Sequence, residues 1–286
     1  MKPRIVLAVL AMIALAAFAS GGASPSPSDA TAPPSSTAVT APSTAPPAEP
    51  VELIIFAGAS LANALEQARA AYEAAHPGTT LTVSPDSSAA LRTQIEQGAP
   101  ADVFLSADTT NPQMLVDGGF AAGEAVVFAG NKLTIITPTD NPGGLTGPFD
   151  LAKDGILVVA AGDEVPITKY ATQLVANLAA EAGAPPDFAA AYAANVASRE
   201  DNVAVVRTKI ELGEGDAAIV YVTDAAASDQ VATIDVPDSA NVLASYAGVV
   251  VKASPNLEAA HAFLDWLAGP DGQAVLAEFG FLPPPS

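Results

Sequence analysis

From Val51 onward the chain repeats one local pattern: a short apolar run, a loop of small residues, then apolar residues at helical spacing. Val51 to Phe56 reads as a strand, Gly58, Ala59 and Ser60 follow it, and Leu61, Leu65, Ala68 and Tyr72 share one helical face before the breaker His76, Pro77, Gly78. Thr79 to Val83 is the next strand. Ser87 and Ser88 open a helix carrying Leu91 and Ile95, Gly98 closes it, and Val103 to Leu105 is a third strand. Further on, Lys132 to Thr137 and Ile156 to Ala160 read as strands, the second leading through Gly162 and Pro166 into a helix to about Ala182. Asn202 or Val203 starts another helix, which ends at Gly213 before the strand Ala217 to Val222. Strands alternating with helices in this way pair in parallel, and two groups of such units imply an α/β protein of two lobes. The C-terminal helix around Leu257, Phe263, Leu264 and Leu267 needs a sheet to cover, and Trp266, Phe279 and Phe281 read as core.

Composition narrows the function. With 31 acidic against 11 basic residues in 286, the net charge of −20 argues against nucleic acid and against anionic membrane surfaces as partners. Half of the residues are hydrophobic and 15% are charged, too apolar a mixture for a disordered chain. The absence of cysteine excludes disulfides, thiolate metal sites and cysteine nucleophiles. The two histidines, His76 in a helix-ending turn and His261 on an amphipathic helix, have no second ligand at a metal-like spacing and read as structural or surface residues.

The N-terminus has Lys2 and Arg4, then an apolar run from Ile5 to Ala19, about 15 residues where a spanning helix needs about 20. With Ala17, Phe18 and Ala19 before Ser20, this is the pattern of a signal peptide, so the protein is expected to be exported, to the periplasm or the cell surface. Residues 21–50 are nearly all Pro, Ser, Thr, Ala and Gly and read as an extended tether. Ser20 stands where a bacterial lipoprotein has its lipidated cysteine; if it replaces one, the native form is membrane-tethered.

In open α/β sheets ligands sit beyond the carboxyl ends of the strands, where helix N-termini present free N–H groups. Ser60 and Ser88 are placed there. Either hydroxyl can cap its helix or bind an anion, and spacing alone does not separate the two. No P-loop, no G-x-S-x-G elbow and no paired catalytic carboxylates point to an enzyme. The residues by themselves lead to an exported two-lobe α/β binder.

The segments FAGASLANAL, SSAALRTQIEQGAPADVFLSAD, GNKLTIITP, DEVPITKYA, REDNVAVV, AIVYVTDA and FLDWLAGPDGQAVLAEFGF together resemble the periplasmic molybdate-binding proteins of ABC importers, and the resemblance covers the folded part from end to end. It implies a type II periplasmic-binding-protein fold, with two lobes joined by crossover strands and closing on a tetrahedral oxyanion. The expected division is a signal peptide over 1–19, a tether over 20–50, a first lobe over 51–128 with 236–286, and a second lobe over 129–235. The resemblance further implies a monomer without a cofactor or catalytic residues, whose ligand is molybdate or tungstate and whose partner is the membrane permease of an ABC importer. Carried over residue by residue, the ligand-binding set is the hydroxyls of Ser60, Ser88 and Tyr221 and the backbone N–H groups of Ile167 and Val203. The stretch before Tyr221 aligns once one of Asp201, Asn202 and Val203 is set aside as inserted. Where the family has a small residue and Gly after Val-Pro, this chain has Ile167 and Thr168, a difference bearing on cavity size and, through the Thr168 hydroxyl, on the donor count.

All of these donors are neutral, so binding is expected from short charge-assisted hydrogen bonds at helix ends, against the overall field. Asp102 and Asp108 read as cap and turn residues. Three other readings stand beside this one. Asp86, Glu164, Glu200 and Asp201 flank the proposed loops and are the oxygens a hard cation collects. Sulfate is a second candidate oxyanion. An exported hydrolase with Ser60 as nucleophile would need a histidine or lysine base.

Overall fold

The computed structural model describes residues 50–285. The expected leader over 1–19, Ser20 and the tether, apart from Pro50, lie outside the described residues.

The first sheet is built from both ends of the folded chain. Strands β1 (Val51–Gly58), β2 (Thr79–Asp86), β3 (Val103–Ser106), β4 (Val126–Asn131) and β10 (Ala244–Val250) lie in the order β2-β1-β3-β10-β4. β1 pairs in parallel with β2 and β3, while β10 runs antiparallel to β3 and β4, so four of the five strands share one direction. Each parallel step needs a crossover, supplied by α1 (Ala62–Ala75) after a single 3-10 turn at Ala59–Leu61, and by α2 (Ser88–Glu96).

The alternation of β1 sends Leu53, Ile55 and Ala57 to one face and Phe56 to the other, and helices cover both. On the first face Leu65 and Tyr72 of α1 meet Phe263 and Leu264 of α8 (Leu257–Ala268). Beneath the second, Leu91 and Ile95 of α2 pack with Leu115 of α3 (Thr110–Asp117). The expected core aromatics behave accordingly: Phe281 is buried, while Trp266 and Phe279 are half-buried against the same cluster. His76 stacks on Tyr72 at 4.0 Å between ring centroids, and His261 is exposed.

The second group of strands repeats the arrangement. β5 (Leu133–Pro138) pairs antiparallel with β8 (Ala218–Tyr221) and β9 (Val231–Ile234), and β6 (Val158–Ala161) pairs in parallel with β7 (Val196–Glu200). A parallel bridge between Val158 and Ala217 joins the two pieces, so the strands run β7-β6-β8-β5-β9. Helices α4 (Pro166–Ala180), α5 (Phe188–Asn195), α6 (Val203–Glu211) and the short α7 (Val222–Ala226) surround them. The chain changes sheet twice, between β4 and β5 and between β9 and β10. The expected lobe boundaries, 128/129 and 235/236, fall inside β4 and just after β9.

Periodicity does not show every element. β4, β7, β9 and β10 are short or interrupted by Gly and polar residues; the expected C-terminal helix is α8, and a further helix, α9 (Pro270–Glu278), follows it after a break at Gly269. α9 turns back so closely that a Cβ on Gly272 would lie 2.5 Å from the carbonyl oxygens of both Trp266 and Leu267. Gly to Ala inside a helix ordinarily gains about 1 kcal/mol. Here backbone blocks the methyl group, and overpacking of that kind costs roughly 1 to 3 kcal/mol. Gly272→Ala is therefore expected to lower unfolding free energy, read from a urea melt, where an unobstructed helical site would raise it.

Candidate functional site

Five loops converge where the carboxyl ends of both groups of strands meet. A small, tight cavity there is lined by Ser60, Ser88, Ile167, Val203 and Tyr221, together with Ala59, Ser87, Ala107, Val165, Pro166 and Asn202. All five residues expected from the sequence thus come together, although Ser60 and Tyr221 lie on different sheets and far apart in the chain. None of the lining residues carries a charge.

Each donor is aimed by its own local structure. Ser88 is the first residue of α2 and is 1% exposed. Its Oγ accepts the Ala107 N–H at 3.1 Å, so the lone pair is engaged and the hydroxyl proton is left for another acceptor. Gly58 makes this approach possible, since a Cβ there would sit 2.9 Å from Ser88 Oγ. The hydrogen bonds of both hydroxyls lead away from their own helices, Ser88 Oγ to Ala107 and Ser60 Oγ to Tyr246.

Ser60 sits in the 3-10 turn after β1, with its Oγ 2.9 Å from Tyr246 Oη. Either hydroxyl can donate in that bond, and Asn131 holds Tyr246 from the other side. Asn131 Oδ1 accepts the Lys132 N–H at 2.9 Å, which makes Nδ2 the donor toward Thr223 Oγ1 at 2.9 Å and Tyr246 Oη at 3.4 Å. Tyr246 thus accepts from Asn131 and shares a hydrogen bond with Ser60, which holds the Ser60 hydroxyl at the edge of the cavity. Tyr221 Oη reaches the Ala107 carbonyl only at 3.5 Å, a weak bond that a better acceptor can displace. Burial pushes the Tyr221 and Tyr246 hydroxyls well above the usual phenol range, with further upward pressure from Asp224, and both stay protonated donors.

The remaining donors are backbone. Ile167 follows Pro166 in the first turn of α4, and Val203 is the first residue of α6, so neither N–H has an intrahelical acceptor. Asn202 settles the start of α6: its Oδ1 accepts from Val205 N–H at 3.1 Å and its Nδ2 reaches across to Asp86 Oδ1 at 3.2 Å. Thr168 does not face the cavity. Its hydroxyl donates to the carbonyls of Ala161 and Gly162 at 3.1 and 2.7 Å, so it ties α4 to β6 and adds no donor to the site.

The acidic residues lie elsewhere. Asp86, Glu164, Glu200 and Asp201 border a wider opening that also has Arg92 and Arg199 on its walls. Glu200 pairs with Lys209 at 2.8 Å, and this outweighs burial in holding its carboxyl below the ordinary range. No group of three or more His, Cys, Asp or Glu able to hold a metal ion occurs among the described residues. Asp108 accepts from Asn111 N–H at 2.9 Å in the first turn of α3, whereas Asp102 is a buried staple, accepting from Ile54 N–H at 2.7 Å and Ser254 Oγ at 2.5 Å. No imidazole or amine of the kind a serine nucleophile needs lines the cavity between Ser60 and Ser88.

Tyr246 and Asn202 are the contributors that sequence reasoning missed. Asn202 was visible as a favoured cap one residue before a helix; Tyr246 sits 186 residues from Ser60 and carried no local signal.

Comparison with known proteins agrees with this architecture. Over 233 residues the chain is 30% identical to the molybdate-binding protein ModA of Mycobacterium tuberculosis, covering 81% of this chain and 85% of that one. The fold matches the periplasmic molybdate-binding protein of Azotobacter vinelandii, with a TM-score of 0.69 at 24% identity over 82% of this chain and all of the other. It likewise matches the sulfate-binding protein SubI of Mycobacterium tuberculosis, with a TM-score of 0.71 at 22% identity over 82% and 87% of the two chains. These neighbours share the two-lobe type II periplasmic-binding-protein fold. Residues 53–282 match the family model for bacterial extracellular solute-binding proteins, and the chain belongs to that family.

Proposed function

We propose that this protein captures molybdate or tungstate, without a cofactor and as a monomer, and delivers it to the membrane permease of an ABC importer. The cleft lies between a lobe of residues 51–128 with 236–286 and a lobe of residues 129–235. The ligand-binding groups are the hydroxyls of Ser60, Ser88 and Tyr221 and the N–H groups of Ile167 and Val203. The observation that carries the reading is the uncharged lining of one small cavity, in which the hydroxyls of Ser60, Ser88 and Tyr221 meet two helix starts from the opposite side, with the Ser88 proton left without an internal acceptor. A fully deprotonated tetrahedral anion accepts from all of them, and aligned N–H groups at helix starts favour negative charge. The 30% identity to a molybdate-binding protein supports the choice of anion. Residues 1–19 act as an export signal and residues 20–50 as a tether, and function is extracytoplasmic.

Two measurements test this. Molybdate and tungstate are expected to raise the melting temperature with one anion per chain, since a ligand at 100 times its dissociation constant stabilises the native state by about 2.7 kcal/mol. Sulfate is expected to do much less; a shift with sulfate or a divalent cation and none with molybdate or tungstate overturns the reading.

Calorimetric titration separates site hydroxyls from structural ones. Ser88→Ala is expected to weaken molybdate binding by roughly 1.5 to 3 kcal/mol, the range for a hydrogen bond to a charged partner. Thr168→Val removes a hydroxyl engaged only with Ala161 and Gly162, and is expected to cost about 1 kcal/mol of stability with affinity unchanged.

A further inference from the structure

A second cavity adjoins the first and shares Ala59 and Ser60 with it. Asn63, Thr223, Phe279 and Phe281 line it, and its charged lining groups are Asp224 and Arg207. Asp224, in the first turn of α7 three residues after Tyr221, is 3% exposed, and its Oδ2 has no hydrogen-bond partner. A buried carboxylate oxygen without a partner is costly when ionised. Arg207 does not resolve this, because its Nε bonds Glu211 Oε1 at 2.9 Å on its own helix.

We infer that Asp224 takes up a proton when a dianion enters the Ser60–Ser88–Tyr221 cavity, so that anion capture is coupled to proton uptake; this rests on the proposed oxyanion function.

The coupling follows from what faces Asp224. From β8 and β10 the groups are the Tyr221 and Tyr246 hydroxyls, both neutral donors and both sensitive to the Asp224 charge. From α6 the facing charge is Arg207, already shared with Glu211. Phe279 and Phe281 close the cavity with apolar rings. Burial pushes the Asp224 carboxyl up to about 7, with Arg207 and the Tyr221 backbone pulling the other way. A dianion held by Ser60 and Tyr221 adds like charge beside Asp224 and raises its proton affinity further. By linkage the bound state then holds more protons than the free state above pH 7. Affinity therefore rises as pH falls toward about 7 and levels off below it, where Asp224 is protonated in both states.

The test is titration of molybdate into the intact protein between about pH 6.5 and 9, in buffers of different ionisation enthalpy. The expected result is uptake of a fraction of one proton per anion at pH 8, with affinity changing by up to about tenfold per pH unit above 7. Asp224→Asn, which keeps the shape of the side chain, is expected to bind with a flat pH profile and no proton uptake; this separates Asp224 from His76 and His261. In the wild type, molybdate addition is expected to produce a protonated-carboxyl C=O band in the infrared difference spectrum, a readout independent of whether the variant folds. Tight binding with no proton uptake and no carboxyl band overturns the inference and leaves the anion reading intact, as does uptake unchanged in Asp224→Asn. Failure of the folded wild type to bind molybdate or tungstate at any of these pH values overturns both.

Discussion

One buried side chain, Asn131, holds the crossing of the two sheets to the site between them. It ends β4, anchors the first residue after the crossing through Lys132 N–H, and sends its amide protons to Thr223 at the start of α7 and to Tyr246 on the return strand. Tyr246 in turn orients Ser60. The two connections between the sheets and one wall of the cavity are therefore fixed by a single hydrogen-bonded chain in a low-dielectric interior, where such bonds polarise one another and a missing member leaves the rest unsatisfied. Thr or Asp at position 131 cannot reproduce this pattern, because only the amide both accepts from Lys132 and donates twice.

Around that anchor the structure solves a problem of charge. A chain with a net charge of −20 does not draw an anion by its overall field. The cavity has no cation in its lining, and Arg207 and Arg92, which line neighbouring cavities, are engaged with Glu211 and Glu96 on their own helices. What remains is short-range: hydroxyl groups and N–H groups at helix starts. These interactions act over a few ångströms and gain from the exclusion of water, which the buried lining provides.

Much of this was legible in the sequence, and the limits have physical causes. β1 and β2 with their following helices show themselves because each carries an uninterrupted apolar period bounded by Gly or Pro. Ser60 and Ser88 are visible as the small polar residues at two strand-to-helix turns, but their aim is not. It depends on Ala107 N–H and Tyr246 Oη, partners supplied by pairings that no local pattern encodes. Strand β10 illustrates the same point: its first residues, Ala-Ser-Tyr-Ala-Gly, carry no strong apolar run, and its place in the sheet is between β3 and β4, both distant in sequence. Thr168 was the opposite case, a residue whose place in the motif suggested the site and whose hydroxyl turns inward to carbonyls of β6 and the loop after it.

On the proposed function, the small, uncharged cavity also bears on how competing anions are ranked. An ion entering it must leave its hydration shell behind, and the free energy of that shell grows as the ion becomes smaller at fixed charge. Neutral hydroxyl and amide donors return that cost only where they reach the oxygens of the ion. On the proposed function, a smaller oxyanion such as sulfate begins with a larger dehydration cost and finds no fixed cation in this cavity to offset it.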